Sequence, residues 1–166
     1  MANTYTLIAS SIVGSGGAAN IEFTSIPGTY TDLVILLSAR SDRAGNIADG
    51  FLIKPNNTTP TILYLTGDGA SASSGTNYSG IVPASTATAS TFGNTFAYFP
   101  NYANTSYNKS FSVDDVSENN ATNAYATLSA NLYGSNSAIT SIKIESINAA
   151  NFVQYSNAYL YGISNS

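Results

Sequence analysis

No histidine, no cysteine and no tryptophan occur in this chain of 166 residues, and methionine occurs once. Charge is nearly as scarce: Asp, Glu, Lys and Arg make up 8% of the residues, against about 25% in an ordinary globular domain. These gaps exclude a good deal. Without cysteine there is no disulfide and no thiolate metal site. Without histidine and cysteine the chain lacks the usual carriers of proton transfer and nucleophilic attack. No enzymatic activity, no cofactor and no metal site is therefore expected. The five basic residues, Arg40, Arg43, Lys54, Lys109 and Lys143, are scattered and the net charge is −4. A phosphate-binding face needs clustered cations, so nucleic acid is not an expected partner. Long apolar runs are missing too. The longest, Leu33-Val34-Ile35-Leu36-Leu37, is far short of the roughly 20 residues that span a bilayer as a helix, and no membrane partner is expected. The start, Met1-Ala2-Asn3-Thr4-Tyr5, has neither the basic nor the apolar region of a secretory signal. Triplets such as Asn57-Thr58-Thr59 and Asn120-Ala121-Thr122 read as chance products of a chain rich in these residues rather than as glycosylation sites.

What is present is neutral and polar. Ser, Thr and Asn supply over a third of the chain and Tyr occurs 12 times, beside 43% hydrophobic residues. That apolar content builds a core, whereas disorder calls for low hydrophobicity with high net charge. The length fits one domain over residues 1–166, since domains cluster near roughly 100–150 residues. The composition points to contact surfaces, and so to a structural or binding role.

Short apolar and β-branched runs alternate with Gly, Pro, Asn, Asp and Ser clusters. The expected strands cover residues 5–13, 21–26, 32–40, 51–54, 61–66, 92–100, 109–116, 124–133, 137–148 and 152–163. Residues 32–40 carry Leu33, Ile35 and Leu37 on one side and Val34 and Leu36 on the other, which predicts a central strand covered on both faces. In 137–148, Ile142 and Ile144 should point inward, with Lys143 and Glu145 outward. Residues 41–50, 67–80 and 83–90 read as polar connections, the second as a long exposed loop. No window shows a capped helical period. About ten short strands at this spacing predict an all-β fold, an antiparallel β-sandwich of jelly-roll type.

Several stretches together carry a family likeness. They are Tyr5-Thr6-Leu7-Ile8-Ala9-Ser10, Ile21-Glu22-Phe23-Thr24-Ser25-Ile26-Pro27 and Thr29-Tyr30-Thr31-Asp32-Leu33-Val34-Ile35, followed by Ser38-Ala39-Arg40-Ser41-Asp42. Pro83-Ala84-Ser85-Thr86-Ala87-Thr88, Pro100-Asn101-Tyr102-Ala103 and Glu118-Asn119-Asn120-Ala121-Thr122 continue it. Over most of its length the chain resembles small virion proteins of tailed bacteriophages of aquatic bacteria. The resemblance implies a place on the particle, on the capsid or the tail, and transfers no functional residue.

The candidate sites are few. Asp114-Asp115, with Glu118 nearby, is the densest acidic cluster. Consecutive strand residues point to opposite faces, so it reads as a solvated strand end rather than a Ca²⁺ site, with no raised carboxyl pKa. Asp42, Arg43 and Asp49 share one polar loop, and Asp49-Gly50 reads as a turn. Gly14-Ser15-Gly16-Gly17 and Gly67-Asp68-Gly69 lack the Lys-Ser/Thr of a phosphate loop and read as turns. The tyrosines carry most weight. Tyr155, Tyr159 and Tyr161 share a face near the C-terminus; Tyr125 and Tyr133 share one with Thr127, Ser129 and Asn131; Tyr98, Tyr102 and Tyr107 lie near Pro100. Core packing absorbs part of this set. The expected interface is drawn from Tyr102, Tyr107, Tyr125, Tyr133, Tyr155, Tyr159 and Tyr161, because protein interfaces favour Tyr and disfavour charge.

The leading expectation is a capsid decoration (cement) protein on the outer capsid surface. It would bind the major capsid protein as a homo-oligomer, a trimer, and stabilise the lattice. The alternative is a receptor-binding or tail-fibre tip domain that recognises host surface glycan, where rings and amides meet sugars.

Overall fold

The computed structural model describes residues 4–118 and 123–164. Among them the chain forms twelve strands and no helix: β1 (Thr4–Ile12), β2 (Asn20–Phe23), β3 (Asp32–Ala39), β4 (Ala48–Pro55), β5 (Thr61–Gly67), β6 (Ala72–Gly75), β7 (Gly80–Pro83), β8 (Gly93–Phe99), β9 (Lys109–Glu118), β10 (Ala124–Tyr133), β11 (Ile142–Ser146) and β12 (Asn157–Ser164). All pairings are antiparallel. The large sheet runs β1-β12-β3-β8-β9-β10-β5-β6 and the small sheet β2-β11-β4-β7.

The chain is an all-β sandwich. With the β5–β6 and β9–β10 pairs set aside, the other eight strands pair from the ends inward: β1 with β12, β2 with β11, β3 with β8, β4 with β7. From the outermost pair to the innermost, the four pairs alternate between the large and the small sheet. The two remaining pairs extend the large sheet by four strands beyond β8.

The core lies between the sheets where β1, β12, β3 and β8 face the small sheet. Leu33, Ile35, Leu37, Phe99 and Leu160 meet Phe51, Ile53, Ile142 and Ile144 there, all almost fully buried. Lys143 and Glu145 point away from this core and join Lys54 in a pair of 2.9 Å ion contacts, as their alternation with Ile142 and Ile144 predicts.

Several expectations need correction. Asp49-Gly50 is no turn but part of β4, held against β7 through Asp49↔Val82 and Gly50↔Ile81. Residues 67–80 do not form a structureless loop. Their middle becomes β6 because the edge of β5 offers unpaired ladder groups to it, in the register Leu65↔Ser74. Asp68 shapes the intervening turn by accepting the backbone N–H of Ala70 (3.0 Å) and of Ser71 (2.7 Å). β7 lies between two segments read as connections; its residues are fully buried despite its shortness. Finally, β3 is central, but its outer face is covered only in part: Val34 is fully buried, whereas Leu36 is 39% exposed.

Candidate functional site

The alternation of β10 separates Ala124, Ala126, Leu128, Ala130 and Leu132 from Tyr125, Thr127, Ser129, Asn131 and Tyr133. An ordinary sandwich strand buries the first set. Here the second set faces inward: Thr127, Ser129, Asn131 and Tyr133 are 1–3% exposed, while Leu128 is 58% exposed.

The reason is the segment that crosses the inner side of the sheet extension. Residues 79–81 bring backbone groups that need partners, and the polar side chains supply them. Ser129 Oγ donates to the Ser79 carbonyl (2.7 Å), and Asn131 Nδ2 donates to Ser129 Oγ (2.8 Å). Ser79 Oγ donates to Asn131 Oδ1 (3.0 Å) and accepts the Ile53 N–H (3.2 Å). Asp115 accepts the Ile81 N–H (2.8 Å) and the Thr95 hydroxyl (2.6 Å). No buried side-chain nitrogen or oxygen among the described residues lacks a hydrogen-bond partner. Burial pushes the Asp115 carboxyl up to about 7, its two hydrogen bonds opposing and the neighbouring charge of Asp114 reinforcing the shift. This corrects the expectation of an unperturbed acidic pair.

With its polar side chains turned inward, the extension presents its apolar ones to solvent. Register aligns Leu65, Leu128, Asp114, Phe96, Leu36 and Tyr159 in one row across β5, β10, β9, β8, β3 and β12. A second row runs Leu63, Ala130, Ser112, Tyr98, Val34, Tyr161 and Leu7. Leu65, Leu63, Leu128 and Leu7 are 63%, 61%, 58% and 52% exposed. Val116, Phe96, Leu132, Tyr5 and Ile12 are exposed as well. Three shallow troughs of about 370, 230 and 330 Å³ lie among the ridges, floored by small residues such as Ser110, Ser112, Ala126 and Ala130. Rows about 6.8 Å apart on strands about 4.8 Å apart give a face on the order of 600–900 Å². The largest apolar patch of a typical monomer is about 300–600 Å², and a stable interface buries about 800 Å² per partner. The charge in these rows is the single Asp114, exposed in its middle.

The seven tyrosines expected at an interface fall in four places. Tyr159 and Tyr161 lie in the rows of this face, half-buried, with Tyr161 packed edge-on against Tyr5 at 6.1 Å. Tyr107 and Tyr155 are exposed, at 48% and 67%, outside the strands. Tyr102 and Tyr133 are core residues, which corrects their placement in an interface. Tyr102 is fully buried and donates its hydroxyl to the Pro27 carbonyl, and Tyr133 accepts from Asn56 Nδ2 at 2.9 Å. Tyr125 stands on the inner side of β10, half-buried, and so does not belong to the open face. The sequence does not mark the exposed leucines of β5 and β10 as contact residues, because alternation identifies two faces without naming the covered one.

Each basic residue has an internal partner. Arg40 donates to the carbonyls of Thr88 (2.7 Å), Ala87 (3.0 Å) and Thr91 (3.1 Å). Lys109 donates to the carbonyl of Ser137 at 2.8 Å, and burial lowers its pKa. Arg43 lies 3.8 Å from the Asp49 carboxylate, and Lys54 and Lys143 share Glu145. Among the described residues no three acidic, histidine or cysteine side chains gather as a metal site. No family model, curated protein or solved structure matches the chain.

Proposed function

We propose that the chain is a virion structural protein of a tailed bacteriophage, a capsid decoration protein that docks the open face of its large sheet on the outer capsid lattice. The observation that carries this reading is that face, a nearly uncharged apolar surface of interface size outside the core. Seating it across neighbouring subunits of the major capsid protein removes leucine and aromatic surface from water. It adds binding free energy that must be overcome before the subunits separate. Low charge favours such a role, since desolvating ions at a contact is costly. The chain acts by contact in this reading, not by transforming a substrate, and does so as a homo-oligomer, a trimer. The nested pairing of its strands is read as a jelly roll with two inserted hairpins, an architecture used by viral capsid and lectin domains. That likeness is support by analogy.

The test is rebinding. Particles stripped of the protein are mixed with purified wild type and with Leu128→Arg, and bound copies are counted by gel densitometry. High copy number on the capsid for wild type, a loss of at least about tenfold for Leu128→Arg, and a trimer mass by light scattering are expected. A handful of copies confined to the tail, or rebinding unchanged by Leu128→Arg, overturns the reading.

A further inference from the structure

A second surface differs from the open face in place and in chemistry. It is a groove of about 380 Å³ at the margin between the sheets, within the size range of small-molecule sites. Tyr125 of β10 contributes from the inner side of the large sheet; Asn77 and Tyr78 come from the segment before β7, and Ile147 and Asn148 from the chain after β11. Arg43 and Gly50 of the 43–50 stretch complete it. The troughs of the open face are almost wholly apolar, whereas this lining mixes rings and aliphatic groups with amides and a guanidinium.

The groove is built, not a chance gap. Tyr78 stacks on Tyr64 with ring centroids 3.8 Å apart and planes 20° apart. It packs so closely on β4 that a methyl group at Gly50 would stand 3.1 Å from Tyr78 and 2.9 Å from Ile147. Gly50 therefore sets how near the tyrosine approaches. Below, the Asp49 carboxylate is 1% exposed and accepts the Ser146 hydroxyl and Asn148 Nδ2, each at 2.7 Å. Arg43 lies 3.8 Å from it and donates to the Ala48 carbonyl at 3.3 Å. Two consequences follow. The one cation of the groove is balanced by a buried carboxylate, so the lining is neutral overall. The Asn148 amide is fixed through its nitrogen, which leaves its oxygen as an acceptor, while the guanidinium has further N–H donors than these contacts use.

We propose that this groove binds a neutral saccharide. A pyranose has hydroxyls that both donate and accept, matching Arg43, Asn77 and Asn148, and C–H faces that pack on an aromatic ring, matching Tyr125 with Ile147 beside it. Charge balance disfavours an anionic ligand. The site lies on the side of β10 opposite Leu128, so it stays open when the apolar face is covered, and it does not depend on what covers that face.

The experiment is saturation-transfer NMR and calorimetry with a panel of methyl glycosides of glucose, galactose, mannose and N-acetylglucosamine, with N-acetylneuraminic acid as the charged comparison. The proteins are wild type, Tyr125→Ala, Asn77→Ala and Leu128→Arg. Saturable millimolar binding of a neutral glycoside is expected, weakened about tenfold or more in Tyr125→Ala, weakened in Asn77→Ala, and unchanged in Leu128→Arg. Asn77 lies outside the strands and is exposed, so its replacement tests the groove even where Tyr125→Ala disturbs the fold. Absence of saturable binding by every neutral glycoside, binding of N-acetylneuraminic acid alone, or affinity indifferent to both groove substitutions overturns the proposal. Because Leu128→Arg acts on particle binding and the groove variants on sugar binding, failure of one reading is distinct from failure of the other.

Discussion

Asp114 and Asp115 are consecutive in β9, and the pleat sends them to opposite sides of the large sheet. Asp114 stands in the solvent-facing row. Asp115 is fully buried, and its two acceptor contacts join β9 to β8 and to β7 of the other sheet. Burial holds its folded-state pKa at about 7 against an ordinary 3.8. The native state therefore keeps a proton that the unfolded chain has already released between about pH 4 and about pH 7. The unfolded state binds fewer protons there, so stability falls as pH rises through that window and levels off above it. Urea unfolding at about pH 5 and about pH 8 should show the wild type less stable at the higher value by up to a few kcal/mol, at about 1.4 kcal/mol per unit of pKa difference. In Asp115→Asn that part of the pH dependence should vanish, and an unchanged slope would contradict the assignment. The sequence places the two carboxyls on opposite faces. It does not reveal the raised pKa, because the cause is burial, and the segment that closes over Asp115 at Ile81 lies 34 residues away in the chain.

At the level of elements, β10 is the informative strand. Its limits are readable from the alternation of residues 124–133, which the structure reproduces, but its orientation is not. Period-2 patterning normally turns the leucines inward; here the backbone of residues 79–81 makes the polar side the better-bonded one. Paired substitutions test this. Leu128→Ser should leave folding stability within about 0.5 kcal/mol, as for an exposed position. Asn131→Leu should cost about 2 kcal/mol or more, because it removes the acceptor of the buried Ser79 hydroxyl and the amide donor to Ser129 Oγ. Chemical denaturation of both variants decides the matter, and the reverse ranking would mean that the leucine side is the buried one. The apolar pattern of β3 has the same explanation. Leu36 opens on the uncovered face, whereas Val34, in register between Tyr98 and Tyr161, is fully buried on that same side. β6 and β7 escaped sequence reading for another reason: they are four residues each, and their pairing is dictated by partners elsewhere in the chain.

For the whole molecule, charge and apolar surface are separated. The ion pairs of Lys54, Lys143 and Glu145 lie on the outer side of the small sheet, and the open leucine and aromatic rows lie on the outer side of the large one. Asp114 interrupts the first of those rows. A lone charge in an apolar face opposes unwanted sheet-to-sheet association, since stacking two copies through this point would desolvate it. Replacing it tests that role: Asp114→Leu should raise the apparent mass of the purified protein in light scattering and sedimentation at concentrations where the wild type keeps a single mass. An unchanged mass would show that the carboxylate is not what keeps the faces apart.

The sequence by itself determined the all-β class, the limits of β1, β3, β9 and β10 to within a few residues, and the neutral, ring-rich chemistry available for contact. These are local properties, fixed by alternation, turn residues and composition. Only the tertiary structure decided which side of the large sheet is covered, which tyrosines are core, and that Asp115 holds its proton near neutrality. Each of these depends on segments far apart in the chain that meet when the two sheets close on each other, and a strand's own pattern carries no record of what will lie against it.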